Sequence, residues 1–362
     1  MSPLEAERNF NTDDNGANAV EKRRGLEGTD GMLLPHRKLM SAPTIVVTDW
    51  TFPDLGIEEQ AAAHAGVRLV GRQCRSSEEL VSLCTEADAV ITQFAKLDAS
   101  VIAHLPKARA IVRYGIGVDN VDLEAARSRD IPVCNVPDYC IDEVADHTLA
   151  FILGLTRQVV ANATHLRDGK WGLATPLDSM ATLKHLTVGV VGFGRIGREV
   201  VRRLAPFKCR IVVFDPVASH GDIEAAGAEA VASVGDLLAC SDVVSPHCPS
   251  TAATKKMFDQ TAFAAMKDGA LFINVGRGDL MDCDALVDAL QRGKLGGAAL
   301  DVFDPEPIPA DHPIRAMGNV ILAAHIASAS PTAVRTLRET AASIALQAVR
   351  GEKPPNVVNG VA

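Results

Sequence analysis

From residue 43 onward, short apolar runs alternate with stretches whose apolar residues recur at helical spacing. Residues 45–47, 67–70, 89–91, 110–112 and 132–135 read as buried strands, and 57–65 and 77–85 as helices between them. That alternation predicts βα units around a parallel sheet. A longer helix is predicted over 141–160. Asp142, Glu143 and Asp146 fall in its first turns, where the helix dipole favours negative charge. A second series begins at Leu186, with strands predicted at 187–191, 210–214, 243–245, 270–274, 297–300 and 320–322. Six strands with intervening helices is the count of a complete dinucleotide-binding fold. One further helix, over about 331–350, comes after that sheet is complete and is expected to pack back on the first series. Residues 1–42 mix Asn, Asp, Gly, Glu, Lys and Arg with no apolar period, and read as a disordered extension.

Length and charge narrow this picture. At 362 residues the chain is long for one domain, since a domain takes roughly 100–200. A net charge of −9 argues against a nucleic-acid or anionic-membrane surface, because neither polyanion is attracted overall. The eight cysteines are scattered, without C-x-x-C or a Cys/His cluster at zinc spacing, so no metal or redox role is expected of them. No secretory signal precedes the fold, and no apolar run approaches about 20 residues. A reducing, cytoplasmic location is the expectation.

The chemistry concentrates in the second series. In TVGVVGFGRIG (187–197) a buried strand runs into Gly192-Phe193-Gly194-Arg195-Ile196-Gly197 and then a helix. Gly192 permits the tight turn, Gly194 lets backbone approach a pyrophosphate, and Gly197 allows close helix–strand packing. Amides at the helix start then face the phosphates. Asp215 ends the next strand, eighteen positions past Gly197. It can accept hydrogen bonds from a ribose diol and would repel a 2′-phosphate, which points to NAD rather than NADP. Arg195 reads either as a pyrophosphate neighbour or as a solvated helix-start arginine.

Three motifs downstream each end a strand: INVGRGDLMD (273–282), ALDVFDPEP (299–307) and LAAHIAS (322–328). Strand C-termini of an open parallel sheet line its ligand crevice, so Arg277, Glu306 and His325 can converge from distant positions. A forked, permanently charged arginine suits a carboxylate beside a carbonyl. A histidine suits proton exchange with a hydroxyl near neutral pH, and a neighbouring carboxylate orients the ring.

With these motifs in order, residues 43 to about 352 resemble the D-isomer-specific 2-hydroxyacid dehydrogenases, a family that includes phosphoglycerate dehydrogenases and hydroxypyruvate/glyoxylate reductases. The resemblance implies an α/β fold with a Rossmann domain over 140–326 and a smaller flavodoxin-like substrate domain. The latter is formed by 43–139 and 327–362, with a cleft between the two domains. It implies NAD-dependent hydride transfer at C2 of a 2-hydroxy or 2-keto acid and a homodimer built largely through the cofactor domain. The family's catalytic arginine, glutamate and histidine fall on Arg277, Glu306 and His325, and its supporting acid on Asp301. Formate dehydrogenases carry glutamine where Glu306 stands, which argues against that activity. Cofactor contacts are implied for the glycine loop, Cys248, Pro249 and Thr254 of HCPSTAAT (247–254), Val275 and Asp301. RYGIGVDNVD (113–122) matches the substrate loop, with amides from Tyr114, Gly115, Ile116 and Gly117 on the substrate carboxylate. Arg113 matches a phosphate-binding arginine of phosphoglycerate enzymes; an ordinary strand-end salt bridge is the alternative. Ala324 departs from the family pattern, which has proline there, and the change puts the presentation of His325 in question. The segment 135–157 looks closest to the C-terminal-binding protein corepressor branch, so an NAD-sensing binding module is the alternative function.

Overall fold

The computed structural model describes residues 42–361; the extension expected over 1–42 lies, but for its last residue, outside them. Five strands form a wholly parallel sheet: β1 (Thr44–Val47), β2 (Arg68–Gly71), β3 (Ala89–Thr92), β4 (Ile111–Arg113) and β5 (Val133–Cys134). Their order is β2-β1-β3-β4-β5, the flavodoxin-like arrangement. All of β3 (AVIT) is buried, as a strand covered on both faces requires.

A second parallel sheet holds β6 (Thr187–Val191), β7 (Arg210–Phe214), β8 (Glu229–Ala230), β9 (Val243–Pro246), β10 (Ala270–Asn274), β11 (Leu295–Leu300) and β12 (Val320–Leu322). The order β12-β11-β10-β9-β6-β7-β8 is the doubly wound dinucleotide-binding topology with one strand added at the edge. That added strand is β12; seven strands replace the expected six because β8, two residues at the opposite edge, has no apolar run to signal it.

The long helix also differs from expectation. It spans Ile141–Thr156, and a separate helix, Val159–Arg167, follows. Gln158 between them takes a left-handed φ of 53°. The Thr156 hydroxyl donates back to the Ile152 carbonyl, and the Thr156 carbonyl accepts from Ala181 N–H rather than continuing the helical ladder. Val159 and Val160 extended the apolar pattern past this break, yet both are exposed.

The last helix, Pro331–Val349, packs on β1, β3, β4 and the helix Gly56–Ala65. Leu337, Ala341, Ile344 and Ala345 join Ile45, Val47, Ile91 and Val112 in one apolar core. Its start is fixed by Ser330, which caps Ala333 N–H and donates its hydroxyl to Glu143. Both sheets belong to one compact unit. No helix among the described residues is long and apolar enough to cross a membrane.

Candidate active site

In the second sheet the connections diverge between β6 and β9, and the glycine loop lies at this switch point. Gly192 has a φ of 101°, and a Cβ there would come within 2.7 Å of the His247 backbone. A Cβ on Gly197 would overlap the Gly192 carbonyl, so the helix Arg195–Leu204 sits directly on the turn. Gly194 differs, because an added Cβ would meet nothing within 4 Å. No side chain caps this helix, so its first amides remain available to an anion. An open face above uncapped amides fits a dinucleotide pyrophosphate.

Asp215 has a duty the sequence did not reveal. Its Oδ2 accepts from Phe193 N–H at 2.6 Å, and its Oδ1 from the N–H groups of Val217 and Ala218, each at 2.8 Å. Burial pushes this carboxyl up, but those three amides and the nearby Arg198 outweigh it, leaving the group below its ordinary range. Arg195 pairs with Asp138 at 2.8 Å, where both side chains are largely exposed, and Ile196 packs against the core. Thr254 donates to the Pro249 carbonyl at 2.7 Å and accepts from Thr251 N–H, closing the 249–254 turn. Burial raises the Cys248 thiol to about 11, and Val275 is buried at the end of β10.

Arg277, Glu306 and His325 come together at the strand ends. Buried Asn274 shapes the first loop: its Oδ1 accepts from Gly276 N–H and its Nδ2 donates to the Arg277 carbonyl. Nε of Arg277 donates to Asp119 at 3.0 Å, and its guanidinium lies where a Gly117 Cβ would be. The second sheet thereby reaches the substrate loop of the first. Nδ1 of His325 donates to Oε2 of Glu306 at 2.8 Å, leaving Nε2 as the ring nitrogen able to meet a ligand. Oε1 of Glu306 accepts from Phe303 N–H. Burial pushes the Glu306 carboxyl up; the His325 bond and charge, the Phe303 amide and Arg277 more than offset this, so it stays ionised below the usual range.

His325 adopts a left-handed φ of 53°, uncommon outside glycine. Fully buried Asp301 holds it there. The Asp301 carbonyl accepts from His325 N–H at 2.7 Å, and its two carboxylate oxygens accept from Ile326 and Ala327 N–H, each at 2.8 Å. These three contacts hold the 325–327 backbone with alanine at 324. The Phe94 ring stands edge-on to the imidazole, with centroids 5.9 Å apart.

The substrate loop needs a correction. Tyr114 N–H already donates to the Thr92 carbonyl and Gly115 N–H to the Arg113 carbonyl. Of the four expected amides, only those of Ile116 and Gly117 have no backbone partner among the described residues. The Tyr114 side chain also turns away from the cleft to donate to Glu58. Arg113, 8% exposed, pairs with no carboxylate among the described residues, and its Nε has no partner. Its guanidinium folds over Gly115 and lies 5.9 Å from the Phe94 ring centroid. Burial, then repulsion from Arg277, lowers it to about 10, so it remains a cation at neutral pH. Among the described residues the strand-end salt bridge is not formed.

Asp119, Phe94 and Asp49 escaped sequence reasoning. Asp49 accepts from the successive N–H groups of Gln93, Phe94 and Ala95 and so fixes the turn that carries the Phe94 ring. The acid within GVDNVD was the available signal for Asp119, since its motif was already in view.

The family model for the D-isomer specific 2-hydroxyacid dehydrogenase NAD binding domain matches residues 149–327. A glyoxylate reductase of Thermofilum pendens is 36% identical over 293 residues, covering 78% of this chain and 85% of the relative. A D-3-phosphoglycerate dehydrogenase of Mycobacterium tuberculosis is 36% identical over 322 residues, 88% of this chain and 59% of that longer protein. Among solved structures, the D-lactate dehydrogenase of Aquifex aeolicus, in complex with NAD and lactic acid, has a TM-score of 0.76 and 27% identity. It covers 85% of this chain and 96% of its own. None of these three favours the binding-module alternative. The chain belongs to the D-isomer-specific 2-hydroxyacid dehydrogenase family and is an NAD-dependent oxidoreductase.

Proposed function

We propose that the protein reduces a 2-keto acid bearing a second anionic group to its D-2-hydroxy acid, and runs the reverse reaction when product is in excess. The His325–Glu306 pair beside Arg277, with Arg277 lying across Gly117, carries this reading. NADH, when bound along the glycine loop, supplies the hydride. Gly192, Gly194 and Gly197 would form its cradle, the amides of Arg195, Ile196 and Gly197 would hold the pyrophosphate, and Asp215 would accept from the adenosine ribose. Cys248, Pro249, Thr254 and Val275 would line the remainder, whereas Asp301, fully buried with both carboxylate oxygens taken by backbone amides, acts from beneath the His325 segment rather than on the cofactor.

The amides of Ile116 and Gly117 hold the substrate carboxylate, while Arg277 binds carboxylate and carbonyl together and draws electron density toward the carbonyl oxygen. Nε2 of His325 delivers the proton to that oxygen in reduction and removes it in oxidation. Glu306, ionised and bonded to Nδ1, keeps the ring in the tautomer and orientation this requires. Arg113 supports the choice of an anionic C3 substituent, because a buried guanidinium with an unpartnered Nε is costly until an anion meets it.

Residues 43–139 with 327–362 act as the substrate domain and 140–326 as the cofactor domain, a division supported by the return of the last helix to the first sheet. A homodimer is supported by an apolar surface. The helix Val159–Arg167 buries none of its residues, and Val159, Leu166, Leu173 and Leu177 are exposed within one stretch of chain together with Trp171, itself 93% exposed. Eight free thiols support a reducing, cytoplasmic setting.

NADH consumption with glyoxylate, hydroxypyruvate and its 3-phospho ester tests the reading. The phosphorylated acid is expected to show the highest kcat/KM. Equal kcat/KM for all three would remove the anionic requirement, and no turnover with any of them would remove the reductase reading.

A further inference from the structure

Three charged or polar groups are buried where the helices Gly56–Ala65 and Pro331–Val349 pack on the first sheet, and the proposed catalysis uses none of them. Glu58 is 1% exposed, Arg338 6% and Tyr114 1%. Nε of Arg338 donates to Oε1 of Glu58 at 2.9 Å and Nη2 to Oε2 at 2.7 Å, a forked pair. Nη2 also donates to the Asp54 carbonyl at 2.8 Å. The Tyr114 hydroxyl donates to Oε1 of Glu58 at 2.9 Å. Phe52 closes the group: its ring meets Tyr114 edge-on at 5.3 Å, and the Arg338 guanidinium lies 4.9 Å from its centroid. Burial, then the Glu58 charge, pushes the Tyr114 phenol well above its ordinary value, so it remains a donor.

A buried ion pair is poor evidence for stability, since apolar residues of like volume serve as well or better; registry is the better-supported reason to keep one. Here the registry is that of the substrate loop. Side chains alternate at the end of β4, so Arg113 goes to the cleft and Tyr114 to the opposite face. Two residues later come the Ile116 and Gly117 amides. We propose that Tyr114, Glu58 and Arg338 are positioning residues that hold the substrate loop at the height where its free amides capture the substrate carboxylate. Arg338 lies on Pro331–Val349, the helix that follows the His325 segment, and that helix is also tied to Glu143 through Ser330. The carboxylate-binding loop and the acid/base segment are thus referred to one rigid element.

This inference rests on the reductase reading. Tyr114→Phe removes one hydroxyl and leaves the Glu58–Arg338 pair intact. The double variant Glu58→Met with Arg338→Met replaces the pair by apolar side chains. For both, KM for the keto acid is expected to rise at least about fivefold, with kcat and the NADH Kd within about twofold of wild type. With Tyr114→Phe added, so that no buried hydroxyl is left without its Glu58 acceptor, the double variant should keep its Tm, which a purely stabilising pair would not allow. Wild-type KM in both variants overturns the inference while leaving the reductase reading intact. If the double variant does not fold, the KM of Tyr114→Phe decides alone. A wild-type protein that turns over no keto acid fails the reductase reading first, and the inference falls with it.

Discussion

At Gly194 an added methyl group would touch no protein atom within 4 Å, and the backbone, with φ −71° and ψ −164°, is extended and open to alanine. Gly194→Ala therefore carries no steric cost to the fold. By restricting the unfolded chain it should add about 0.4–1 kcal/mol, or a Tm rise of at most about 4 °C. In the proposed reading the open space above Gly194 takes the pyrophosphate, and the methyl group would occupy it. Loss of one amide-to-phosphate hydrogen bond is worth about 1.5–3 kcal/mol, which weakens NADH binding by about 10- to 150-fold. Gly197→Ala is the control with the opposite profile. Its Cβ would overlap the Gly192 carbonyl, and overpacking of this kind costs about 1–3 kcal/mol of stability. Calorimetric NADH titration and thermal unfolding of both variants read the two effects separately. Wild-type NADH affinity in Gly194→Ala would refute the assignment of that open face to the cofactor. A Tm loss in Gly194→Ala matching that of Gly197→Ala would refute the steric argument.

Asp215→Ala removes the acceptor of three backbone amides as well as the proposed ribose contact, so NADH affinity should fall at least about tenfold. Its preference for NADH over NADPH should fall with it; an unchanged preference in paired titrations would place discrimination elsewhere. For Glu306 the sign follows from its depressed pKa: its ionised contacts stabilise the fold above the ordinary carboxyl value of 4.5 and lose that effect as pH falls through the lowered value. The Tm gap between wild type and Glu306→Gln should accordingly narrow as acid melts pass below about pH 4.5, and a gap independent of pH would contradict it.

The residues most legible in the sequence were those whose chemistry leaves few alternatives. A glycine triplet between a buried strand and a helix has few other uses, and Asp215 completes its pattern. Arg277, Glu306 and His325 were legible because strand ends in a parallel sheet share one edge. The direction of Tyr114 was not, because β4 is only three residues long and its alternation could not be followed into the loop. Glu58 and Arg338 were hidden for another reason: charged residues on helices ordinarily belong to solvated faces, and only the packing of two distant helices buries them. The helix break at Gln158 was masked by Val159 and Val160, whose apolar character belongs to the surface. Asp301 was visible as a motif residue, but its grip on the 325–327 backbone became visible only once the chain was folded.

His325 is the proposed group that exchanges the proton during hydride transfer. His325→Asn keeps a polar side chain at that position, and none of the glycine-loop contacts passes through it. Steady-state NADH oxidation with the best keto acid, measured beside NADH affinity, is the direct test. Expected is a loss of kcat of about 10²–10⁴ with NADH binding intact. Turnover at the wild-type rate in His325→Asn would contradict the account.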